Sequence, residues 1–155
     1  MTARIAGRIV INRPVEEVFD VVADECNEPR YNPRMTRAER ISVSPVGLGS
    51  RYHAETRSMG RTVEMDIQNT GYQRPCFLSS STHLSAMDIH GTVTFESVAE
   101  GTLLTWVWDL QPAGVLKLLN PITTRLGRRQ EQAIWTGLKD FLEAQPVAAG
   151  TPTAG

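Results

Sequence analysis

Residues 102–144 read TLLTWVWDLQPAGVLKLLNPITTRLGRRQEQAIWTGLKDFLEA, and along this stretch the apolar period changes from two to 3.6. In 102–110, Leu104, Trp106, Trp108 and Leu110 share one face while Leu103, Thr105, Val107 and Asp109 share the other, the pattern of a β-strand. A short apolar turn through Val115, Leu116, Leu118 and Leu119 follows. Asn120-Pro121 then supplies an N-cap residue type and a proline at the first helical position, so a helix is expected from there to about Ala144. The chain therefore ends with a strand feeding one long helix, and everything upstream must pack against that helix.

Upstream, Ile5, Gly7, Ile9 and Ile11 alternate with Arg4, Arg8 and Asn12 as a half-buried strand. Pro14 opens a short helix in which Val15, Val18, Phe19 and Val22 recur at helical spacing, with Glu16 and Glu17 where the helix dipole favours negative charge. Pro29 and Pro33 around Tyr31 allow only a brief second helical turn. Strands are then expected at 37–44, 51–58, 61–70, 76–82, 87–98 and 102–110, with Pro45-Val46-Gly47-Leu48-Gly49, Met59-Gly60 and Ala99-Glu100-Gly101 as turns. No helix interrupts this series. The order predicts an α+β domain at 1–145 in which a curved antiparallel sheet grips the last helix, and a Pro/Ala/Gly/Thr tail at 146–155 expected to be disordered.

The helix face bears on function. At 3.6 residues per turn Leu126, Ala133, Ile134, Leu138 and Phe141 form one stripe, with Trp135 at its margin and Arg125, Arg128, Arg129, Gln132, Lys139 and Asp140 off it. The middle of the stripe also carries Thr123, Gly127, Gln130 and Gly137, small or polar where a filled core would hold leucine. Two readings stand side by side: a ligand occupies the space these residues leave, or the glycines let helix and sheet approach closely. The first places a cavity between Thr123, Gly127 and Gln130 on the helix and Tyr52, Met65, Phe95, Trp106 and Trp108 on the sheet. The second makes the same residues core.

Sixteen basic against seventeen acidic side chains leave a net charge of -1, without the positive footprint of a nucleic-acid binder. No apolar run approaches membrane-spanning length, and the chain reads as soluble and cytoplasmic, a monomer or homodimer. Cys26 and Cys76 are far apart and in no metal-type spacing, so reduced thiols are expected. His53 and His90 fall on solvent faces by parity, while His83 stands at a strand end near the mouth. Neither a nucleophilic triad nor a metal site assembles from these positions, and no cofactor is called for. Among the polar residues that parity turns inward, Tyr52, Thr56, Thr123 and Gln130, tyrosine is the one plausible acid. Tyr31, Arg34 and Arg125 read either as entrance residues or as surface and packing residues.

Four stretches carry a family resemblance: Ile11-Asn12-Arg13-Pro14-Val15-Glu16-Glu17-Val18-Phe19, Pro45-Val46-Gly47-Leu48-Gly49-Ser50-Arg51-Tyr52, Glu100-Gly101-Thr102-Leu103-Leu104-Thr105-Trp106 and Leu138-Lys139-Asp140-Phe141-Leu142-Glu143. Together they resemble the START/birch-pollen-allergen-like (SRPBCC) superfamily, in its polyketide cyclase/dehydrase-like branch, over about residues 3–144. The resemblance implies a helix-grip fold: a seven-stranded antiparallel sheet around the long helix, closed at one end by two small helices. It also implies a cavity for a lipid, polyketide or isoprenoid-like molecule. A non-catalytic binder or carrier is the first expectation, and a cyclase or dehydratase using a cavity tyrosine or other polar groups as acid/base is the alternative. A buried ionisable group with a displaced pKa and a hydrogen-bonded partner would mark the enzyme.

Overall fold

The computed structural model describes residues 3–112 and 121–146, with side chains of the terminal helix from Thr124 onward. The expected apolar turn through Val115 and Leu119, the side chain of Thr123 and the tail beyond Pro146 lie outside the described residues. The elements are β1 (Ala3–Ile11), α1 (Val15–Ala23), a 3-10 helix (Glu25–Arg30), β2 (Met35–Arg40), β3 (Arg51–Ser58), β4 (Arg61–Gln73), β5 (Phe77–Leu84), β6 (Met87–Val98), β7 (Gly101–Pro112) and α2 (Pro121–Ala144). Among the described residues the strands form one antiparallel sheet ordered β1-β7-β6-β5-β4-β3-β2. This is the helix-grip α+β architecture, a curved seven-stranded sheet with a long C-terminal helix and two short ones.

The alternation read from the sequence sets the faces. Register pairs Ile5 with Trp108, Gly7 with Trp106 and Ile9 with Leu104, so the apolar sets of β1 and β7 lie on the same side. Irregularities at Met35/Arg37 in β2 and Asn69/Gly71 in β4 insert an unpaired residue and bend the sheet locally. At the β3–β4 hairpin both Met59 and Gly60 have positive φ, the backbone twist that suits a two-residue turn between right-twisted strands. β2 stops at Arg40, short of the expected residue 44, because the chain beyond it hands its ladder to a side chain: the Arg51 N–H donates to Ser42 Oγ at 3.1 Å.

The C-terminal end of α2 is locked onto the end of β1. The buried Arg13 guanidinium donates to the carbonyls of Asn12 (2.6 Å), Glu143 (3.0 Å) and Gln145 (2.5 Å), satisfying acceptors that a helix end leaves orphaned. The Asn12 N–H donates to Glu143 Oε1 at 2.9 Å, and Lys139 Nζ donates to the Val10 carbonyl at 2.9 Å. Beneath this clamp Leu138 and Leu142 pack with Ile11, Val18, Phe19 and Leu104 in the larger core cluster. A second cluster, Met35, Tyr52, Ala54 and Ile67, sits under the other end of the sheet.

The helix stripe is rotated from its sequence reading. Leu126 is 54% exposed and Ala133 is exposed, whereas Trp135 is buried and stacks on Trp106 with ring centroids 5.5 Å apart. The two helix glycines also differ. A Cβ on Gly137 would run into the Tyr31 backbone carbonyl, which cannot swing aside, so this glycine sets how closely α2 approaches the segment after the 3-10 helix. A Cβ on Gly127 would meet only the Ile5 Cδ1 tip at 2.8 Å, and that tip can move. Gly137→Ala is expected to cost about 1–3 kcal/mol by overpacking, while Gly127→Ala leaves stability level or gains up to about 1 kcal/mol of helix propensity. Chemical denaturation of the two variants against the parent checks the contrast; equal effects would contradict it.

Candidate functional site

Between the two core clusters lies a cavity of about 290 Å³. Its sheet wall is largely apolar, with Ile5, Met65, Ile67, Leu78, Ile89, Val93 and Leu110, interrupted by Thr56, Asn69, Ser80 and Thr82. These residues follow from parity: Leu78, Ser80 and Thr82 are alternate positions of β5, and Met65, Ile67 and Asn69 of β4. The opposite wall comes from α2, with Gln130, Glu131, Ile134 and Trp135, and from the 3-10 segment, with Glu25, Glu28, Tyr31 and Asn32.

The 3-10 segment shows why these side chains converge. A 3-10 helix has three residues per turn, so Glu25, Glu28 and Tyr31 stack on one face and all three line the cavity. The Asp24 side chain accepts from the Cys26 N–H at 3.2 Å and caps the segment. Glu28 Oε1 accepts from Asn32 Nδ2 at 2.7 Å. From α2, Glu131 Oε1 accepts from the indole N–H of Trp108 at 2.6 Å and of Trp135 at 3.0 Å, joining helix, strand β7 and cavity wall at one carboxylate.

Burial dominates the electrostatics of this end. It pushes the Glu131 carboxyl up to about 7; Glu28 adds to the rise, and the two indole donors oppose it by stabilising the ionised form. Glu25 is raised well above the carboxylate range, again by burial first and then by the neighbouring Glu28. Burial followed by Glu28, Glu25 and Glu131 raises the Tyr31 hydroxyl in the same way. The residues can thus place, accept or release a proton at Glu131 near neutral pH, and offer hydrogen-bond acceptors to whatever enters.

Of the residues expected to form the site, Met65, Trp108 and Gln130 line the cavity. Four others do not. Tyr52 is fully buried in the second cluster, its hydroxyl donates to the Ala23 carbonyl at 3.4 Å, and burial pushes it up to about 12, so it keeps its proton at neutral pH away from the cavity. Phe95 packs edge-on to Phe19 with centroids 5.0 Å apart. Trp106 is covered by Trp135 and lies over Gly7, whose missing side chain gives the indole its room; its buried Nε1 has no partner among the described residues. Gly127 abuts Ile5 instead of open space.

Sequence reasoning missed Glu25, Glu28, Glu131 and Trp135, and placed Tyr31 only as a candidate near an entrance. A signal for them existed in spacing: 25, 28 and 31 at three-residue intervals, and 127, 131, 134, 135, 138 and 142 along one helix face. His83 is exposed and pairs with Asp88. On the outer face His53, Glu55 and Glu64 bring ligand atoms within 4.8 Å of one another, a convergence that linear spacing did not reveal. The Asp66 carboxylate accepts from His53 Nδ1 at 2.9 Å, and this hydrogen bond raises the imidazole pKa.

A carboxyl raised on folding has a definite linkage sign. Between the ordinary carboxylate value and about 7 the folded chain holds the Glu131 proton that the unfolded chain releases, so stability falls as pH rises through this window. The loss amounts to about 2–3 kcal/mol, and Glu131→Gln is expected to remove most of it. Denaturant melts from about pH 5 to about pH 8 measure this; an equal slope in parent and variant would contradict the burial of Glu131.

The sequence matches the family profile described as polyketide cyclase / dehydrase and lipid transport over residues 2–143. A search of curated proteins finds no match. Similar solved structures include TTHA0849 from Thermus thermophilus (17% identity, TM-score 0.80, covering 93% of this chain and 100% of that one). A START superfamily protein from Mycobacterium smegmatis is 12% identical with a TM-score of 0.79, covering 90% and 97% of the two chains. The Zhui aromatase/cyclase from Streptomyces sp. R1128 is 14% identical with a TM-score of 0.76, covering 97% and 100%. At these identities the structures speak for the fold, and the profile speaks for the family. The chain belongs to the polyketide cyclase / dehydrase and lipid transport family.

Proposed function

We propose that the chain binds a hydrophobic small molecule, a lipid, polyketide or isoprenoid-like compound, in this cavity as a binder or carrier. The observation that carries the reading is the cavity itself: about 290 Å³ between helix and sheet, apolar along the strands and polar at one end. Pockets with this kind of lining suit ligands that lose most of their apolar surface on entry. The family description, which includes lipid transport, supports the same class. Met65, Trp108 and Gln130 are the proposed contacts already expected from the sequence, joined by Ile67, Val93, Trp135 and Glu131. The cytoplasm is the proposed setting, in keeping with the unpaired Cys26 and Cys76; no helix among the described residues is long and apolar enough to cross a membrane.

A second reading, acid/base chemistry on a polyketide-like molecule, is favoured by one observation. Glu131 is a carboxyl in the cavity wall that burial pushes up to about 7 and two fixed donors hold in place, the feature that distinguishes a cavity enzyme from a passive container. That reading expects turnover governed by a group titrating near this value, lost in Glu131→Gln.

Binding is tested with N-phenyl-1-naphthylamine, a neutral apolar fluorophore. Saturable one-to-one binding is expected, insensitive to salt because no charged contact is made. Ser80 lies mid-wall on β5, so Ser80→Phe is expected to fill the space and weaken the probe by about tenfold or more while the protein still melts cooperatively. Unchanged probe affinity in a folded Ser80→Phe protein would argue against the cavity as the binding site.

A further inference from the structure

The charged groups at the polar end of the cavity are of one sign. Glu25 and Glu28 reach it from the 3-10 segment and Glu131 from α2, while the strands that complete the wall contribute no titratable side chain. Among the described residues no lysine, arginine or histidine forms an ion pair with any of the three. The guanidinium carried by the segment itself, Arg30, is instead exposed and lies over the Phe141 ring at 5.3 Å. Beside the carboxylates stand the aromatic rings of Tyr31, Trp108 and Trp135, with both indole N–H groups turned to Glu131.

A cavity whose titratable groups are carboxyls with no cation beside them is one in which a bound ammonium gains most, because it offsets the cost of ionising the carboxyls it meets. An anionic headgroup entering the same space meets like charge with no counter-ion to offset it. A neutral hydroxyl gains a hydrogen bond only. We propose that the preferred ligand of this cavity is an apolar molecule bearing a protonated amine, with the ammonium seated among Glu25, Glu28 and Glu131 and the apolar part along Ile67, Val93 and Leu78. The inference rests on the cavity being the binding site and adds the chemical class of the occupant.

It carries a pH signature of its own. Glu131 must ionise to meet the cation, so amine binding releases a proton from it and strengthens as pH rises through about 7. Glu25 and Tyr31, both raised by burial first, face the same space with Glu28, and Cys26 is a further titratable neighbour of Glu25.

The test is isothermal titration of the full chain with three ligands of one chain length, decylamine, decanol and decanoate, at about pH 6 and about pH 8. Decylamine is expected to bind tightest at the higher pH, by about tenfold or more over decanol, with decanoate weakest, and only the amine should gain affinity with pH. Glu131→Gln, and separately Glu28→Gln, should shrink the ratio of decylamine to decanol affinity, whatever each does to decanol binding itself. Decanol binding as tightly as decylamine, or decanoate tightest, would overturn the amine proposal and leave the cavity reading standing. Failure of all three to bind would overturn both.

Discussion

The structure depends on where α2 is held. Arg13, Lys139 and Glu143 fix its C-terminal end to β1, and Leu138 and Leu142 close the core beneath that clamp. Gly137 brings the helix against the Tyr31 backbone. The helix stays beside β1 along its length, with Lys139 and Glu143 at Val10 and Asn12 and Gly127 at Ile5, and the space between the two clusters opens toward the strands across the sheet.

The same arrangement explains a half-buried acidic cluster that would otherwise be costly. Carboxylates removed from water without a cation are strongly disfavoured, and here burial shows as raised proton affinity at Glu25 and Glu131. Two indole donors on Glu131 and the Asn32 amide on Glu28 offset part of the cost. The remainder is carried by the rest of the fold, as expected where a site serves binding or chemistry and not stability.

The fold was legible in the sequence because strands with one wet face alternate faithfully. Ile5 to Ile11, Met65 and Ile67, and Leu104 to Leu110 all face the side that parity gave them, and the helix start at Pro121 followed from proline chemistry. The site was less legible for one physical reason: apolar residues were taken to mark the inner face of α2. The helix over a cavity turns Glu131 and Trp135 inward beside the expected Gln130 and leaves Leu126 out, so the stripe was placed with the wrong rotation. Parity also cannot say how far along a strand the helix stays in contact. Trp106 and Trp108 share a face, yet the first is sealed under Trp135 and the second opens on the cavity. Tyr52, expected to serve the site, is sealed in the second cluster in the same way.

The account stands or falls on the space between the two clusters. A high-resolution crystal structure of the protein purified from its own host examines it most directly. The account predicts that the region bounded by Glu131, Trp135, Ile67 and Val93 is not filled by protein and holds a small molecule or ordered solvent, with the Glu131 carboxylate still bonded to both indoles. Met35, Met65 and Trp135 collapsed into that region, bringing helix and sheet into continuous contact, would contradict it.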